Sequence, residues 1–448
     1  MEPFRLHLYA CTQEKSEGVP SCPTAGAWAV ISAIEREVQA RGLDNDVQIT
    51  TSGCMGLCDE GPIMVVYPEG VWYRKVKPGD AAEIVSSHLA GGKPVQRLVW
   101  NDAAAMKAMS TEHRDKFRAM MAAKEKSGML PDRIEEIARS FMQSRVLLTA
   151  LELDLFSTID DGVTISQAAK RANVSPRGIE ALMNALVALG LLEKSGDRYT
   201  NTAETARYFK QGSPNNQRDG MLLATQLWHT WSTLTDVVRR GSPIERESRR
   251  DWTKHFIAGM ERNAKLRAPS LVKTLGVEGV KKVLDLGGGS GAYSIAFAKA
   301  SPNLKSEILD VPAVVPLTEE YLTAAGVDRQ VSVRTGDMLS DDYGSNYDLV
   351  LLNAICHMFS PEQNESIFRR ALAALAPGGR LVVQDFILNP EKTSPHFAAL
   401  FTVNMLVATE SGSSYTEAEY TQWLKNSGFR EVKRINLPGP SDLIVATK

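Results

Sequence analysis

The sequence predicts a multidomain α/β protein whose C-terminal part is a doubly wound, mainly parallel sheet. Three observations predict this class. Apolar, strand-like runs alternate with helical patterns between Val283 and Asp385. The chain has 448 residues, enough for roughly three domains of ~150 residues each. Hydrophobic residues make up 43% and charged residues 23%, which is typical of globular proteins.

Composition and charge exclude several functional classes. The formal net charge is −2, from 51 Lys and Arg against 53 Asp and Glu, so no general nucleic-acid or anionic-membrane surface is expected. No stretch approaches ~18 consecutive apolar residues, the length of a membrane span. The start of the chain, Met1–Tyr9, lacks the long apolar segment of a secretory signal. We therefore expect a cytoplasmic protein with no membrane and no nucleic-acid partner.

The C-terminal sheet is predicted in detail. Its five strands are predicted at Val283–Leu286, Lys305–Asp310, Val331–Thr335, Tyr347–Asn353 and Leu381–Asp385. A glycine-rich turn, Gly287–Gly291, follows the first strand and leads into a helix, Ala292–Ala300. Ligands of doubly wound sheets bind at the carboxyl ends of the strands, near the switch point. The sequence therefore places a ligand at this turn.

Two ligands suit such a turn, NAD and S-adenosylmethionine. Both need glycines for close approach of the backbone and an acid for ribose hydroxyls. Asp285 stands just before the glycines, where a carboxylate is a poor neighbour for the pyrophosphate of NAD. The same carboxylate is a good partner for the ammonium group of an amino acid. The residues therefore favour S-adenosylmethionine.

The motifs around this turn resemble those of the class I S-adenosylmethionine-dependent methyltransferases, over residues 131–448. The resemblance rests on the spacing of Asp285 and the glycines, on Gly336-Asp337-Met338, and on Pro377-Gly378-Gly379. It implies a Rossmann-like domain in which the glycine turn holds the methionine part of the cofactor, Asp310 the ribose, and Asp337 and Met338 the adenine. The cofactor-binding residues it implies are Asp285, Gly287, Gly289, Gly291, Asp310, Gly336, Asp337, Met338 and Asn353.

The segment Asn353–Glu362 resembles the family's motif after the fourth strand. Methyl transfer is an in-line displacement, and a general base helps to remove the proton of a phenol or enol acceptor. On this resemblance His357 is the catalytic base, and Asp385 is the acid that orients it. Plant relatives carry Lys at Asn353, Asp at Met358 and a second acid around Ser414. We expect Cys356 to be a small buried residue.

Four of the five cysteines, Cys11, Cys22, Cys54 and Cys58, lie in the first 58 residues. Two disulfides would use all four, but a large chain without a signal favours a reducing compartment. A zinc site usually has two pairs of closely spaced ligands, and the ten residues between Cys11 and Cys22 count against it. Four thiolates on loops suit a 2Fe–2S cluster.

Residues 5–94 resemble the thioredoxin-like 2Fe–2S ferredoxins. The matching segments are Cys11-Thr12, the Gly18–Cys22 turn, Gly53–Cys58 and Gly61–Tyr73. Strands are predicted at Leu6–Ala10 and Ile63–Tyr67, with an amphipathic helix at Ala27–Arg41 between them. The resemblance implies a ferredoxin domain over residues 1–95 that holds the cluster through the four cysteines. Such a cluster can pass on electrons taken from a donor protein, sense the redox state or serve only for docking.

The middle of the chain is predicted to be helical. Residues 96–130 are predicted to be a linker, and residues 131–215 a winged-helix domain with a helix at Pro176–Leu189. That helix is apolar and carries a single basic residue, Arg177, which disfavours DNA recognition and favours packing. The segment resembles the dimerisation domain of caffeate-type and bacterial O-methyltransferases, which implies a homodimer.

Residues 216–448 are predicted to form a helical connector and the cofactor-binding domain. The same resemblance places the connector beside the substrate cavity, with Trp231, Phe256 and Met260 as lining residues. Core packing explains these three side chains equally well.

Three functional hypotheses follow. The first is a dimeric methyltransferase that acts on a small aromatic or hydroxylated substrate and carries an accessory redox domain. The second is an enzyme that uses S-adenosylmethionine without moving its methyl group, as in hydroxylation or decarboxylation. It is motivated by the ferredoxin-like segment and by Asn353, Met358 and Ser414. The third is a redox-sensing winged-helix regulator.

Overall fold

The structure is a computed structural model that describes residues 3–15, 19–159, 162–244 and 252–448. The chain divides into two compact units, residues 1–138 and 139–448. Gly18, the first residue of the predicted Gly18–Cys22 turn, lies outside the described residues. Among the described helices, none combines the length and the apolar character that a membrane span requires.

The N-terminal unit contains a four-stranded sheet. Its strands are β1 (Leu6–Cys11), β2 (Val47–Ser52), β3 (Met64–Tyr67) and β4 (Val71–Tyr73). The spatial order is β2-β1-β3-β4; β1 is parallel to β2, and the other two pairings are antiparallel. A parallel pair needs a crossover, which helix α1 (Ala27–Ala40) supplies. The two predicted strands and the predicted helix are confirmed to within one residue at each end.

Two helical segments complete this unit. Helix α2 (Ala81–Glu83) continues as a π-helical segment, Ile84–Ala90. Helix α3 (Ala103–Lys126) is capped at its N-terminus by Asp102, whose side chain accepts a hydrogen bond from the amide of Ala105. The N-terminal half of α3 packs Met106 and Met109 against the cluster of buried residues that contains Cys11 and Cys22. The predicted connecting helix is therefore present, and its first turns belong to the cysteine-containing unit.

The winged-helix prediction is confirmed within the second unit. The unit boundary falls within α4 (Asp132–Arg139). The following elements are α5 (Phe141–Glu152), α6 (Leu155–Ile159), α7 (Ile165–Ala172), α8 (Pro176–Ala188), β5 (Leu192–Ser195), β6 (Arg198–Asn201) and α9 (Ala203–Phe209). Ser175 caps α8 by accepting from the amide of Gly178, with Pro176 in the first turn. Helix α8 buries Ile179, Met183 and Leu186, so its apolar face packs within the domain.

Three helices lead into the C-terminal sheet, and further helices cover it. The three are α10 (Arg218–Trp231), α11 (Leu234–Arg240) and α12 (Trp252–Leu275). The elements after them are β7 (Lys282–Leu286), α13 (Ala292–Ala300), β8 (Lys305–Asp310), α14 (Val315–Ala325), β9 (Val331–Thr335), β10 (Tyr347–Asn353), α15 (Pro361–Ala374), β11 (Leu375–Asp385), α16 (His396–Ala408), α17 (Glu417–Asn426), β12 (Arg430–Ile435) and β13 (Asp442–Thr447).

The seven strands lie in the order β12-β13-β11-β10-β7-β8-β9. The five strands β11, β10, β7, β8 and β9 are parallel to one another. At the β11 edge, β13 pairs antiparallel with β11, and β12 pairs antiparallel with β13. The chain leaves β7 toward β8 and returns to β10 on its other side, which makes the gap between β7 and β10 the switch point. The predicted doubly wound sheet is confirmed. Asp285, Asp310, Asn353 and Asp385 lie at or beside the carboxyl ends of their strands.

Candidate functional site

The glycine turn after β7 can be built only with glycine at key positions. Gly287, Gly289 and Gly291 have φ of 67°, 58° and 76°, which side chains of L-residues rarely adopt. A Cβ atom at Gly287 would lie 2.5 Å from Cδ1 of Ile355 and 3.0 Å from Cε of Met338. The backbone therefore runs directly against residues that follow β9 and β10, at the switch point.

Asp285 is a fully buried carboxyl group with one free oxygen. Its Oδ2 accepts from the hydroxyl of Ser294 at 2.8 Å, and the hydroxyl of Ser306 donates to Ser294 at 2.9 Å. Its Oδ1 has no hydrogen-bond partner among the described residues. Burial, followed by the charge of Asp310, raises the pKa of Asp285 to about 6, against the hydrogen bond from Ser294. No lysine or arginine in the part of the chain that the structure describes forms an ion pair with this carboxylate.

Asn353, at the end of β10, is a second partly satisfied side chain. It lies close enough to Asp285 to lower the pKa of that carboxyl, although neither Oδ1 nor Nδ2 meets hydrogen-bond geometry with any described residue. Two neighbouring polar side chains thus keep unused hydrogen-bonding capacity beside the glycine turn. Buried polar atoms without partners are rare and commonly mark a place for a ligand or water.

Asp310, at the end of β8, holds the glycine turn from the other side. Its Oδ2 accepts from the amide of Gly289 and its Oδ1 from the amide of Val311, both at 2.8 Å. Burial raises the pKa of Asp310, and the two amide hydrogen bonds oppose the shift. Each carboxylate oxygen can accept a further hydrogen bond, so the amides leave room for a ligand hydroxyl.

The Gly336-Asp337-Met338 segment lies beside the same turn. The amide of Gly336 donates to the carbonyl of Asp310 at 2.9 Å, and a Cβ there would lie 2.5 Å from Cδ1 of Leu309. Asp337 is exposed, and its Oδ1 accepts from the amide of Leu339 at 2.8 Å. Met338 reaches the glycine turn through its terminal methyl group. The structure thus brings every predicted cofactor residue to one edge of the sheet.

His357 and Asp385 form a buried pair. His357 lies in a 3₁₀ turn, Cys356–Met358, directly after β10. Its Nδ1 is 2.7 Å from Oδ1 of Asp385, and the two residues are 6% and 2% exposed. The backbone amide of His357 also donates to Oδ2 of Asp385, at 3.1 Å. Because an ionised Asp385 only accepts, the neutral form of this imidazole carries its proton on Nδ1 and its lone pair on Nε2.

The imidazole of His357 lies among aromatic rings. The ring of Phe401 meets that of His357 edge-on at 4.8 Å, and Phe386 stacks at 5.9 Å. Phe397 packs against both phenylalanines. Nε2 of His357 makes no hydrogen bond within the described ranges of the chain, so it remains available beside apolar rings.

The three predicted lining residues lie on two helices around this region. Trp231, at the end of α10, donates from Nε1 to Oδ1 of Asn404 at 2.9 Å. Asn404 is on α16, the helix that carries Phe401 to His357. Phe256 and Met260 are half-buried on α12. Their neighbour Ile257 lies 3.6 Å from the position of a Cβ at Gly289, so this part of α12 approaches the glycine turn.

Cys356 is fully buried, as expected. It lies in the main core of the C-terminal sheet, and burial, followed by the charge of Asp385, raises the pKa of its thiol well above the ordinary value. A neutral, enclosed thiol is not a nucleophile. Ser414 is also buried, and its hydroxyl has no partner among the described residues.

The four N-terminal cysteines lie in two close pairs. The sulfur atoms of Cys54 and Cys58 are 3.6 Å apart, and all five cysteines of the chain are free thiols. Cys22 lies close enough to Cys11 to lower the pKa of the Cys11 thiol to about 6, against the effect of burial. Among the described residues, no group of three or more His, Cys, Asp or Glu side chains is gathered where a single metal ion would bind.

Backbone and charge surround these thiols. The amide of Gly56 donates to Sγ of Cys54 at 3.3 Å, and a Cβ at Gly61 would lie 3.0 Å from Sγ of Cys22. The ammonium group of Lys15 lies beside Cys58 and also acts on Cys54 and Cys11 through its charge. Helix α3 covers the Cys54–Cys58 loop, since a Cβ at Gly56 would lie 2.7 Å from Oγ of Ser110.

Several site residues could not be singled out from the sequence. Glu261 on α12 accepts from the hydroxyl of Ser290, and Thr318 on α14 donates to the carbonyl of Gly289 at 2.6 Å. Tyr420 on α17 donates to Oδ2 of Asp385 at 2.9 Å. Each lies far along the chain from its partner and in a helix with an ordinary core pattern. In the sequence, these residues could have been noticed only as polar side chains at positions where the helical pattern predicts a buried or half-buried face.

Comparisons with known proteins agree with this geometry. The O-methyltransferase domain family matches residues 241–430, and the O-methyltransferase dimerisation domain matches residues 135–211. The 3-hydroxy-5-methyl-1-naphthoate 3-O-methyltransferase of Streptomyces sahachiroi is 31% identical over 330 residues, which cover 71% of this chain and 95% of that protein. The L-tyrosine C(3)-methyltransferase of Streptomyces lavendulae is 30% identical, with 67% of this chain and 88% of that protein covered.

A solved structure extends the likeness to the fold. PigF with SAH is 26% identical and superposes with a TM-score of 0.67, covering 71% of this chain and all of that one (100%). The glycine turn, the buried acids and the His357–Asp385 pair thus occur on the fold of a protein solved with the demethylated form of the cofactor. The chain belongs to the family of S-adenosylmethionine-dependent O-methyltransferases that carry a dimerisation domain.

Proposed function

We propose that the protein transfers the methyl group of S-adenosylmethionine to a hydroxyl of a small aromatic acceptor, with His357 as general base. The observation that carries this proposal is the 2.7 Å hydrogen bond between His357 Nδ1 and Asp385. In the neutral imidazole this bond places the proton on Nδ1 and leaves the lone pair on Nε2, and the ring lies among the side chains of Phe386 and Phe401. Such a nitrogen removes the proton from a phenol that lies against Phe401 and Phe386, while Asp385 stabilises the imidazolium that forms.

The residues of the glycine turn fit the cofactor. S-adenosylmethionine supplies an electrophilic methyl group on a positively charged sulfur. The unpartnered Oδ1 of Asp285 and the amide of Asn353 would hold its amino-acid end. Asp310 would accept from the ribose hydroxyls, and Asp337 and Met338 would contact the adenine. A side chain at Gly287 would displace Ile355 and Met338, so glycine here keeps the turn packed against the residues that follow β9 and β10.

An aromatic acceptor suits the walls of the site. Phe386 and Phe401 lie against His357. We also assign Trp231, Phe256 and Met260 to the acceptor side of the site, because their helices α10 and α12 approach the same edge of the sheet. The two relatives named above are named for a hydroxynaphthoate and for tyrosine, and both compounds carry a hydroxyl on an aromatic ring. One is named for transfer to oxygen and the other for transfer to carbon, so the names alone do not fix the acceptor atom.

The decisive experiment is a mass balance on S-adenosylmethionine with a panel of phenols and hydroxynaphthoates. We expect one S-adenosylhomocysteine and one methylated product for each acceptor consumed, and a loss of at least about 100-fold in kcat for His357→Ala. Unchanged turnover in His357→Ala would show that His357 is not the general base. Product formation with the methyl donor unconsumed would instead support the alternative, a non-methylating enzyme on the same fold.

We also propose that the protein is a homodimer through residues 135–211. This segment matches a dimerisation domain, and its helix α5 exposes Phe141 and Met142, which are 54% and 56% exposed. Large apolar side chains at neighbouring exposed positions are typical of an interface between subunits. The predicted domain boundaries, 1–95, 96–130, 131–215 and 216–448, stay predictions.

For the N-terminal unit we propose a 2Fe–2S cluster bound by Cys11, Cys22, Cys54 and Cys58. Each iron of such a cluster takes two thiolates, so two close pairs fit it although no three ligands converge on one point. The 3.6 Å between Cys54 and Cys58, the amide of Gly56 and the charge of Lys15 support this assignment. The β-α-β-β-β order of the unit is compatible with a thioredoxin-like ferredoxin fold.

Purification without oxygen tests the cluster. We expect about two irons and two sulfides for each chain, visible absorption, and an electron paramagnetic resonance signal after reduction. Cys54→Ser should lose or alter that signal, whereas Cys356→Ser, which changes a thiol in the other unit, should keep it. Colourless, iron-free protein would refute the assignment, and with it the need for an electron donor.

A further inference from the structure

Asp385 is a buried carboxylate that relies on hydrogen bonds alone. Its Oδ1 accepts from Nδ1 of His357 and from the amide of Phe386, at 2.7 and 2.8 Å. Its Oδ2 accepts from the amide of His357 and from the hydroxyl of Tyr420, at 3.1 and 2.9 Å. Neither lysine nor arginine pairs with it anywhere in the described ranges. Of the four donors, Tyr420 is the one that comes from a distant element and is not part of the His–Asp pair.

Tyr420 is held so that its hydroxyl points at Asp385. The residue is fully buried on α17, and its ring meets those of Tyr415 and Trp423 edge-on at 6.0 and 5.5 Å. Asp385 is the hydrogen-bond partner of the hydroxyl in the structure. Burial, followed by the charge of Asp385, raises the pKa of Tyr420 well above its ordinary value, so the phenol stays protonated and donates.

We propose that Tyr420 is a positioning residue for the His357–Asp385 pair: its hydroxyl orients one carboxylate oxygen and limits how strongly the carboxylate holds a proton on His357. The inference rests on the proposed role of His357 as base. It assigns to α17 a function in catalysis that neither the glycine turn nor the motif after β10 contains.

The direction of the effect follows from the two charge states of the pair. When His357 is neutral, the pair carries the full negative charge of Asp385; when it is protonated, imidazolium balances that charge. A donor to Asp385 stabilises the first state more than the second. The Tyr420 hydrogen bond therefore favours the neutral imidazole, which is the form that acts as base. Its removal should make His357 hold its proton to higher pH.

The other groups around the pair do not supply this effect. Cys356 and Tyr415 are buried, and burial raises the pKa of each, so both stay neutral. Helix α15 contributes Asn364, α16 contributes Phe401, and the loop before α17 contributes Gly412 and Ser413 to the backbone of His357. All of these are uncharged. Glu362 and Glu419 act on Tyr415 from exposed or half-buried positions.

The test is Tyr420→Phe, with Tyr415→Phe as matched control. Tyr415 belongs to the same aromatic cluster, but its hydroxyl donates to the carbonyl of Phe359 and not to Asp385. In Tyr420→Phe we expect the acidic limb of the kcat/KM profile to move up by roughly 0.5 to 1 pH unit, and kcat at neutral pH to fall about 3- to 10-fold. The KM for S-adenosylmethionine should stay within about twofold. Tyr415→Phe should leave the limb in place.

A direct titration separates this inference from the proposed function. The protein has seven histidines, and the ring signal of His357 is assigned by its loss in His357→Ala. In Tyr420→Phe that signal should change with pH at a higher pH than in the unchanged protein, whether or not His357 is the base. If neither the signal nor the limb moves while His357→Ala is inactive, Tyr420 has only a structural role and the proposal is wrong. If His357→Ala keeps full activity, the proposed base fails instead.

Discussion

At the scale of single residues, three buried acids at the strand ends differ in how completely their oxygens are satisfied. Asp385 accepts four hydrogen bonds and Asp310 two, whereas Asp285 keeps one oxygen without a partner among the described residues. A fully satisfied carboxylate orients its neighbours. An unsatisfied one beside a glycine turn is a place for a cationic group of a ligand, because an unpaired buried charge is costly.

The state of Asp285 predicts a pH dependence of cofactor binding. Its pKa in the folded protein is raised to about 6 by burial, so it takes up a proton as the pH falls through that value. Only the carboxylate attracts the ammonium of S-adenosylmethionine. We expect the affinity, measured by calorimetry, to fall about tenfold per pH unit below pH ~6. Asp285→Asn should bind more weakly at pH ~7 and lack this slope; an equal slope in both proteins would exclude Asp285 as its origin.

Protonation of Asp285 should weaken cofactor binding but stabilise the folded protein. Its pKa is higher in the folded than in the unfolded chain, so the folded state binds more protons between the two values. The contribution of Asp285 to the free energy of unfolding therefore increases as the pH falls from neutral toward ~4. Asp285→Asn removes this contribution, which urea titrations at several pH values would measure.

Two glycine-to-alanine variants distinguish the effect of backbone strain from the effect of steric crowding at Gly287. Gly287→Ala places a Cβ 2.5 Å from Ile355 at a φ of 67°, whereas Gly326→Ala has the same φ of 67° and open space around it. Both variants carry the cost of a left-handed alanine, about 1 kcal/mol. We expect only Gly287→Ala to lose cofactor binding by more than about tenfold, as measured by calorimetry. Equal binding by both variants would show that the cradle does not depend on close approach.

At the scale of elements, short connections place the catalytic pair. The turn that carries His357 begins at Cys356, three residues beyond the end of β10, and Asp385 ends β11, which pairs with β10. Asn364 on α15 fastens this turn by donating to the carbonyls of Cys356, Phe359 and Ser360. The position of the base thus depends on three neighbouring elements of the sheet and its covering helices.

Asn364→Ala tests this attachment. The residue is fully buried, and its loss leaves several carbonyls of the turn with fewer partners. We expect a loss of about 1–3 kcal/mol in the free energy of unfolding and a fall of roughly tenfold in kcat, with little change in cofactor affinity. The control is Asn426→Ala, which removes an exposed amide hydrogen bond to Glu365. A variant that loses stability but keeps kcat would show that the turn holds His357 without Asn364.

At the scale of the whole molecule, the second unit, residues 139–448, exposes apolar side chains in the segment that matches the dimerisation domain, residues 135–211. Phe141 and Met142 lie at the start of α5, and the ring of Phe141 tilts over that of Trp228 at 6.4 Å. A chain whose charged residues make up 23% has enough polar side chains to cover such positions. In the proposed homodimer, burial against a second copy would account for their apolar character.

Met142→Glu should therefore reduce dimer formation. A buried unpaired carboxylate is costly at an apolar interface, so we expect a change from twice 49.1 kDa toward 49.1 kDa in light scattering at micromolar concentration. Phe117→Glu is the control, because Phe117 is similarly exposed, at 57%, on α3 and lies outside residues 135–211. Unchanged mass in both variants would place the interface elsewhere.

Local patterns are sufficient for much of this architecture. Period and capping residues predicted the winged helix, and the glycine spacing predicted the cofactor turn, because backbone conformation at Ser175 or Gly287 depends on near neighbours. The pairing of His357 with Asp385 followed from a resemblance and is present in the structure. The linker prediction was incomplete: the contact of Ser110 with the Gly56 loop joins residues 54 positions apart, and no local pattern encodes it.

The sequence by itself determined the fold class, the positions of the five parallel strands along the chain, and the residue types at their carboxyl ends, since these depend on periodicity and on glycine. Only the tertiary structure decided which buried oxygen keeps no partner, how the four thiols pair, and that Tyr420 reaches Asp385. Such properties depend on side chains that meet across long stretches of chain, and their free energies come from burial and hydrogen-bond geometry, which one-dimensional patterns do not carry.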